Sequence, residues 1–155
     1  MNIRDAIKTK TAAVRYSDSV AKAAQLMQET DCCFLPVLNG NRVVGVVTDR
    51  DIAVGLAIRQ IGTAAEIGNL MSSRVHSIDA DASLEEAANE IVAKGVHRLV
   101  VVDKFGVFVG VLAISDLEGR ISDSRLVHTL RMLADYNHPH LAHRRHRPSS
   151  IPTYA

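Results

Sequence analysis

Apolar residues recur at helical spacing behind Ser19, at Val20, Ala23, Ala24 and Met27, and again behind Ser83, at Leu84, Ala87, Ala88 and Ile91. Each stripe predicts a helix with one buried face and a serine N-cap, and Glu86 completes a capping box with Ser83. The helices are expected to end near Asp31 and Gly95. Continuous apolar runs follow, Phe34 to Leu38 and Arg98 to Val102, and then Arg42 to Val47 and Val107 to Leu112. The intervening Asn39-Gly40-Asn41 and Asp103-Lys104-Phe105-Gly106 are turns, because Asn, Asp and Gly tolerate positive φ, so each pair of runs reads as a hairpin. Strands apolar at successive positions belong to sheets covered on both faces. A further helix is expected to open near Asp49 and near Ser115.

The order of these signals is the same twice, offset by 64 positions. Ile3-Arg4-Asp5-Ala6-Ile7 returns as Ile67-Gly68-Asn69-Leu70-Met71, and both precede the first helix as short irregular or strand-like lead-in segments. After one extra residue in the second turn, Gly45 to Ile52 returns as Gly110 to Leu117. The chain therefore reads as an α/β (α+β) protein of two pseudo-symmetric repeats, each a small sheet with helices packed on it. Repeat one covers 1–58, a linker 59–66, repeat two 67–121 and a C-terminal helix 122–136. That helix shows a stripe of Leu126, Val127, Leu130 and Leu133 behind a cap at Asp123-Ser124. Residues 137–155 form a basic, His-rich tail whose low hydrophobicity and prolines predict mobility.

Composition narrows the function classes. A unit of ~60 residues is marginal alone, so the copies are expected to pack on each other and on a second chain, as a homodimer. The net charge of +1 exerts no general pull on nucleic acid or anionic membrane, and 4% aromatic content without Trp gives no base-stacking platform. The longest apolar stretch, Val107 to Ile114, falls far short of the ~18 residues of a membrane span. The N-terminus lacks a signal-peptide layout, and the expectation is a cytoplasmic protein. Adjacent Cys32 and Cys33 do not reach relaxed disulfide geometry with each other. They read as reduced thiols, one lining a pocket and one in the core. The tail's histidines, spaced irregularly around Pro139, do not supply the fixed convergence that a metal needs.

The run Gly45-Val46-Val47-Thr48-Asp49-Arg50-Asp51 joins a strand to a helix and carries the most chemistry. Glycine permits close backbone approach of a ligand, while a hydroxyl and a helix N-terminus offer donors to phosphate. Asp51 offers two acceptor oxygens to the cis-diol of a ribose. The competing reading is that Thr48 and Asp51 only cap the helix. Recurrence of the run as Gly110 to Asp116 weighs toward a ligand.

On these residues, the Ala-Ala helices, the Leu35-Pro36-Val37 strand and the Gly-x-x-Thr-x-x-Asp ending, the stretch from Ile3 to about Arg120 resembles a tandem pair of cystathionine β-synthase (CBS) domains, a Bateman module. The resemblance implies an adenosine ligand, AMP, ADP, ATP or S-adenosylmethionine, held between the copies, and dimerisation into a disc of four repeats. The run Val96-His97-Arg98-Leu99 further resembles γ regulatory subunits of AMP-activated protein kinase, where a His-Arg pair meets phosphate. Arg98 would bring a permanent planar cation and His97 a second donor.

Carried over residue by residue, the resemblance implies two unequal sites. One is built on Asp116, with Ser115, His97, Arg98, the lead-in segment at Asp5 and the backbone at Cys32-Cys33, but with Ala113 where the family has a hydroxyl. The other is built on Asp51, with Thr48 and Arg50, but has Cys33 and Phe34 in place of His-Arg and Asn69 in its lead-in segment, with Glu66 nearby repelling phosphate. The leading reading is a non-enzymatic adenosine-nucleotide sensor acting through its dimer or an effector protein. The alternative is a ligand-free scaffold that keeps the fold and not the site. No nucleophile triad or Walker-type loop points to catalysis.

Overall fold

Ser19 starts the first long helix as expected, its Oγ accepting the Lys22 amide at 3.1 Å. Ser83 and Glu86 close a full capping box, with the Glu86 carboxylate accepting the Ser83 amide at 2.8 Å. In this computed structural model, which describes residues 1–7 and 11–137, the elements run α1 (Ile3–Ala6), β1 (Val14–Arg15), α2 (Val20–Thr30), β2 (Phe34–Asn39), β3 (Arg42–Thr48) and α3 (Asp49–Ala57). A 3-10 turn at Ile67–Asn69 leads to β4 (Ser77–Asp79), α4 (Leu84–Lys94), β5 (Arg98–Val102), β6 (Phe108–Ala113), a 3-10 turn at Ile114–Leu117 and α5 (Asp123–Asn137). Helices α2 and α4 stop at Asp31 and Gly95, both left-handed with φ of 50° and 65°, which lets their amides turn back onto the last helical carbonyls. The basic tail beyond Asn137 lies outside the described residues.

The two sheets have the same build. Order β1-β2-β3 pairs β1 with β2 in parallel and β2 with β3 as an antiparallel hairpin, and β4-β5-β6 does likewise. Even the irregularities correspond: the register shifts between Val37 and Leu38 in one hairpin and between Val101 and Val102 in the other.

The cores, however, do not follow the order of the repeats. Ile3, Ala6 and Ile7 are buried with Leu84, Ile91, Leu99 and Leu117 in the core of the second sheet. Ile67 and Leu70 are buried with Val20, Met27, Leu35 and Val47 in the core of the first, and Ile61 and Ala65 of the connecting segment pack on it too. Backbone bonds make the exchange reciprocal. The Ile3 amide donates to the Ala82 carbonyl and the Arg4 amide to Ala80; the Ile67 amide donates to Asp18 and the Gly68 amide to Tyr16. Each lead-in segment thus completes the other repeat, whose helix and sheet cover its apolar residues.

Three local expectations are corrected. The lead-in segments are a turn of helix and a 3-10 turn, each followed at a distance by a two- or three-residue strand. No second helix opens at Ser115: Ile114–Leu117 is a single turn, followed by Gly119 at φ +69° and a fresh start at Ser122, whose Oγ accepts the Arg125 amide. Ser122, not Asp123 or Ser124, therefore caps α5. That helix lies on α4 through Leu126, Thr129 and Leu133, while Val127 and Leu130 of the expected stripe face outward, 43% and 46% exposed.

Candidate functional site

Both strand-to-helix junctions are hydrogen-bonded locally, and to different degrees. At the first, Thr48 Oγ1 accepts the Asp51 amide at 3.1 Å, while Asp51 Oδ2 accepts both the amide and the hydroxyl of Thr48 at 2.9 Å. Thr48 and Asp51 therefore do cap α3, and one carboxylate oxygen is doubly engaged in doing so. At the second, Ala113 has no hydroxyl, and Asp116 Oδ2 accepts the Ala113 amide, at 2.8 Å. The glycine of the first run serves the protein's own chain, since the Ser72 backbone lies against it; a Cβ added at Gly45 would stand 2.8 Å from the Ser72 carbonyl oxygen. Close approach by a ligand is not what that glycine provides.

Asp116 opens on a cavity of about 250 Å³ between the two repeats. Arg98, at the start of β5, and Val111 of β6 form its second-repeat wall. Thr11 and Ala12 ahead of β1, with Thr30, Cys32 and Phe34 at the end of α2 and start of β2, form the other. Among the described residues the cavity thus gathers one cation, one carboxylate, hydroxyls and an apolar wall. Thr11 is held in place by its Oγ1, which accepts the Val111 amide at 3.3 Å across the repeats.

A second cavity of about 260 Å³ shares Phe34 and Arg98 with the first. Its remaining lining is Val46, Arg74, His76, Val96 and His97. The repeat offset maps one cavity on the other: Ala12 on His76, Cys32 on Val96, Phe34 on Arg98, Val111 on Val46. The cavities are images of each other about the repeat axis, with Phe34 and Arg98 exchanging places. Among the described residues, Arg74, His76, His97 and Arg98 line the second, and Asp116 with Arg98 lines the first.

Of the residues expected at the Asp116 site, Asp116, Arg98 and Cys32 share a cavity, and Ala113 pairs with Arg98 across the hairpin. His97 lines the neighbouring cavity instead, its carbonyl accepting the Ile114 amide at 3.0 Å. Arg98 lines that cavity as well as the first. Ser115 is exposed on the turn, and Asp5 is exposed on α1, outside both linings. Cys33 is half-buried, not in the core, and its carbonyl accepts the Asp49 amide, the counterpart of the His97 bond. Arg50 is exposed at the start of α3, and Asn69 offers its carbonyl to the Arg59 guanidinium at 3.4 Å. Neither lines a cavity described here. Sequence reasoning missed Thr11, Ala12, Arg74 and His76; placing the lead-in contribution just before β1 and β4, not at Asp5 and Asn69, would have found them. Among the described residues no group of three His, Cys, Asp or Glu side chains is placed to hold a metal ion, and no helix is long and apolar enough to cross a membrane.

Comparison with known proteins agrees with this duplicated architecture. The family model for the CBS domain matches the chain twice, over residues 3–57 and 66–123. The CBS domain-containing protein YhcV of Bacillus subtilis (strain 168) is 28% identical over 116 residues, 75% of this chain and 82% of that protein. Among solved structures, the CBS domain protein PAE2072 from Pyrobaculum aerophilum, complexed with AMP, superposes with a TM-score of 0.69 at 21% identity, covering 84% of this chain and 99% of that one. The CBS domain pair of protein MJ0100, in complex with 5′-methylthioadenosine and S-adenosyl-L-methionine, gives 0.66 at 21% identity over 76% of this chain and 92% of that one.

Proposed function

Because the chain belongs to the CBS domain family and carries two of these domains in tandem, we propose that it is a regulatory module, not an enzyme, that binds an adenosine nucleotide in the cavity at Asp116. One observation carries the reading: Arg98 and Asp116, a fixed cation and a carboxylate, line the same cleft between repeats. In this reading Asp116 accepts a hydroxyl of the ribose, Arg98 meets phosphate, and Ala12, Cys32, Phe34 and Val111 flank the purine. AMP in the PAE2072 complex and S-adenosyl-L-methionine in the MJ0100 complex make an adenosyl ligand the first choice.

The crossed lead-in segments supply a route from ligand to surface. Thr11 and Ala12 line the cavity on the chain that runs from α1, buried in one core, to β1, at the edge of the other. A ligand touching them and Arg98 bears on both cores at once. Regulation then requires that it bind one arrangement of the cores more tightly than another, since equal affinity shifts nothing. The output of a cytoplasmic module of this kind is a change in its homodimer or its hold on an effector protein.

A thermal-shift panel of AMP, ADP, ATP and S-adenosylmethionine, followed by calorimetry on Asp116→Ala and Arg98→Ala, tests the proposal. Stabilisation by a nucleotide, lost in both variants, supports it. The missing hydroxyl at Ala113 favours the second reading, a ligand-free scaffold, which an absence of any shift at millimolar ligand would establish.

A further inference from the structure

We infer that the first repeat carries a second ligand site, outside the cleft between the repeats, that takes a small planar carboxylate: an aromatic ring bearing one anionic group. It lies at the end of the first sheet, between the turn after β1 and the turn of the β2–β3 hairpin. The cavity there, about 540 Å³, is lined by Arg15, Tyr16, Ser17, Leu38, Asn39 and Gly40. That volume falls within the ~300–1,000 Å³ usual for small-molecule sites.

The first support is a departure of the chain from its own repeat. The images of Arg15, Tyr16 and Asn39 are Asp79, Ala80 and Asp103. The backbone is alike in both halves: the Tyr16 amide donates to the Leu38 carbonyl at 2.9 Å, and the Ala80 amide to Val102 at 2.8 Å. Ala80 is fully buried, whereas Tyr16 is 41% exposed. A cation and an aromatic ring thus stand where the second repeat, with the same sheet, has an acid and a methyl group.

The second is how the ring is held. In the second repeat the Arg4 amide donates to the Ala80 carbonyl; in the first, the Gly68 amide donates to Tyr16 at 3.1 Å. Glycine replaces the arginine of the image, and the tyrosine ring lies on it. A Cβ at Gly68 would stand 2.3, 2.4 and 2.6 Å from Cζ, Cε2 and Cε1 of Tyr16. Distances so similar place that point over the ring's face, not at its edge. One face of Tyr16 is therefore backed by the 3-10 turn, and the residue borders the cavity as a fixed stacking surface.

The third is the chemistry of the lining. Arg15 brings a permanent cation whose planar fork matches a carboxylate. Asp18, three residues on, accepts Lys22 Nζ at 2.7 Å on one oxygen and the Arg15 amide at 2.8 Å on the other. Ser17 and Asn39 add hydrogen-bonding groups and Leu38 an apolar contact. Gly40, at φ +63°, closes the hairpin without a side chain in the space. A ring over Tyr16 with its carboxylate at Arg15 meets each of these groups.

Saturation-transfer NMR and calorimetry with benzoate, nicotinate and indole-3-carboxylate, and with their neutral amides, on the full chain provide the test. At least one carboxylate should bind, and its amide at least about 10-fold more weakly. Arg15→Gln should weaken the carboxylate by about 10-fold, and Tyr16→Ala, which installs the residue of the other repeat, by about 2- to 10-fold. Asp116→Ala should leave its affinity unchanged, and AMP should not displace it. Melting curves establish that the variants fold; Arg15 is exposed, so Arg15→Gln decides if Tyr16→Ala melts early. No binding by any carboxylate at millimolar concentration overturns the site, as does binding untouched by the variants. Loss in Asp116→Ala, or displacement by AMP, puts the probe in the cleft and overturns it too. Displacement by an equal concentration of inorganic phosphate overturns the aromatic assignment and leaves a simple anion surface. Nucleotide binding at Asp116 is read separately, with AMP alone, so failure of either reading leaves the other standing.

Discussion

Asp116 Oδ2 accepts the Ala113 amide at 2.8 Å, whereas its repeat image Asp51 takes both the amide and the hydroxyl of Thr48. Both carboxylates thus hold the backbone of their junction, Asp51 with a hydroxyl besides, and Asp116 also lines a cavity. Thr48→Ala should lower stability by about 1 kcal/mol, the usual worth of a side-chain N-cap, measured by urea denaturation. Asp116→Ala should cost less, because it removes a single bond to a short turn.

Ligand affinity should respond in the reverse order. Losing a charged hydrogen-bond partner is worth about 1.5–3 kcal/mol, so Asp116→Ala and Arg98→Ala should each weaken nucleotide binding by about 10- to 150-fold. Thr48→Ala should leave binding at the Asp116 cavity unchanged. Titration calorimetry on the three variants reads the difference directly.

The crossed segments make a prediction about distance along the chain. Ile3 is fully buried in the core of the second sheet, so Ile3→Ala should cost about 2–5 kcal/mol. In hydrogen exchange the loss of protection should concentrate in α4, β5 and β6, some 80 residues downstream, and spare β2 and β3. Loss confined to the first repeat would contradict the exchange of segments.

Acid should weaken the start of α4 before the cores. The Ser83 amide, and then its hydroxyl, bonded to the Glu86 carboxylate, hold that group below its ordinary pKa of 4.5. A pKa lowered by folding contributes stability above the unfolded value and loses it as pH falls through the folded one. Asp18, lowered from 3.8 chiefly by its hydrogen bond from Lys22 and further by the Arg15 amide, though opposed by desolvation, acts in the same direction at slightly lower pH. Melting temperature should therefore be flat with respect to these groups at neutral pH and decline below about 4.5. Glu86→Gln should flatten part of that decline.

Most of the local structure was legible because it is set by near neighbours. Ser19, Ser83 with Glu86, Asp31, Gly95 and the turn glycines act within a few residues of chain, and each element they bound appears close to its expected place. The α5 stripe misled for the opposite reason. Spacing identifies a face that can be buried, and only the position of α4 decided that Leu133 and Thr129 would be covered while Val127 and Leu130 would not.

The sequence by itself determined the duplication, the hairpins, the caps and the residue types with chemistry, since periodicity and local hydrogen bonding leave a direct trace in residue order. Tertiary structure alone decided which core each lead-in segment completes, and that Arg98 lines both cavities while His97, adjacent in the chain, lines one. Burial pattern records that Ile3 and Ile67 need cover but not which sheet supplies it. The site likewise depends on groups some 90 residues apart, Thr11 and Ala12 against Arg98, brought together only when two marginal half-cores close on each other's segments.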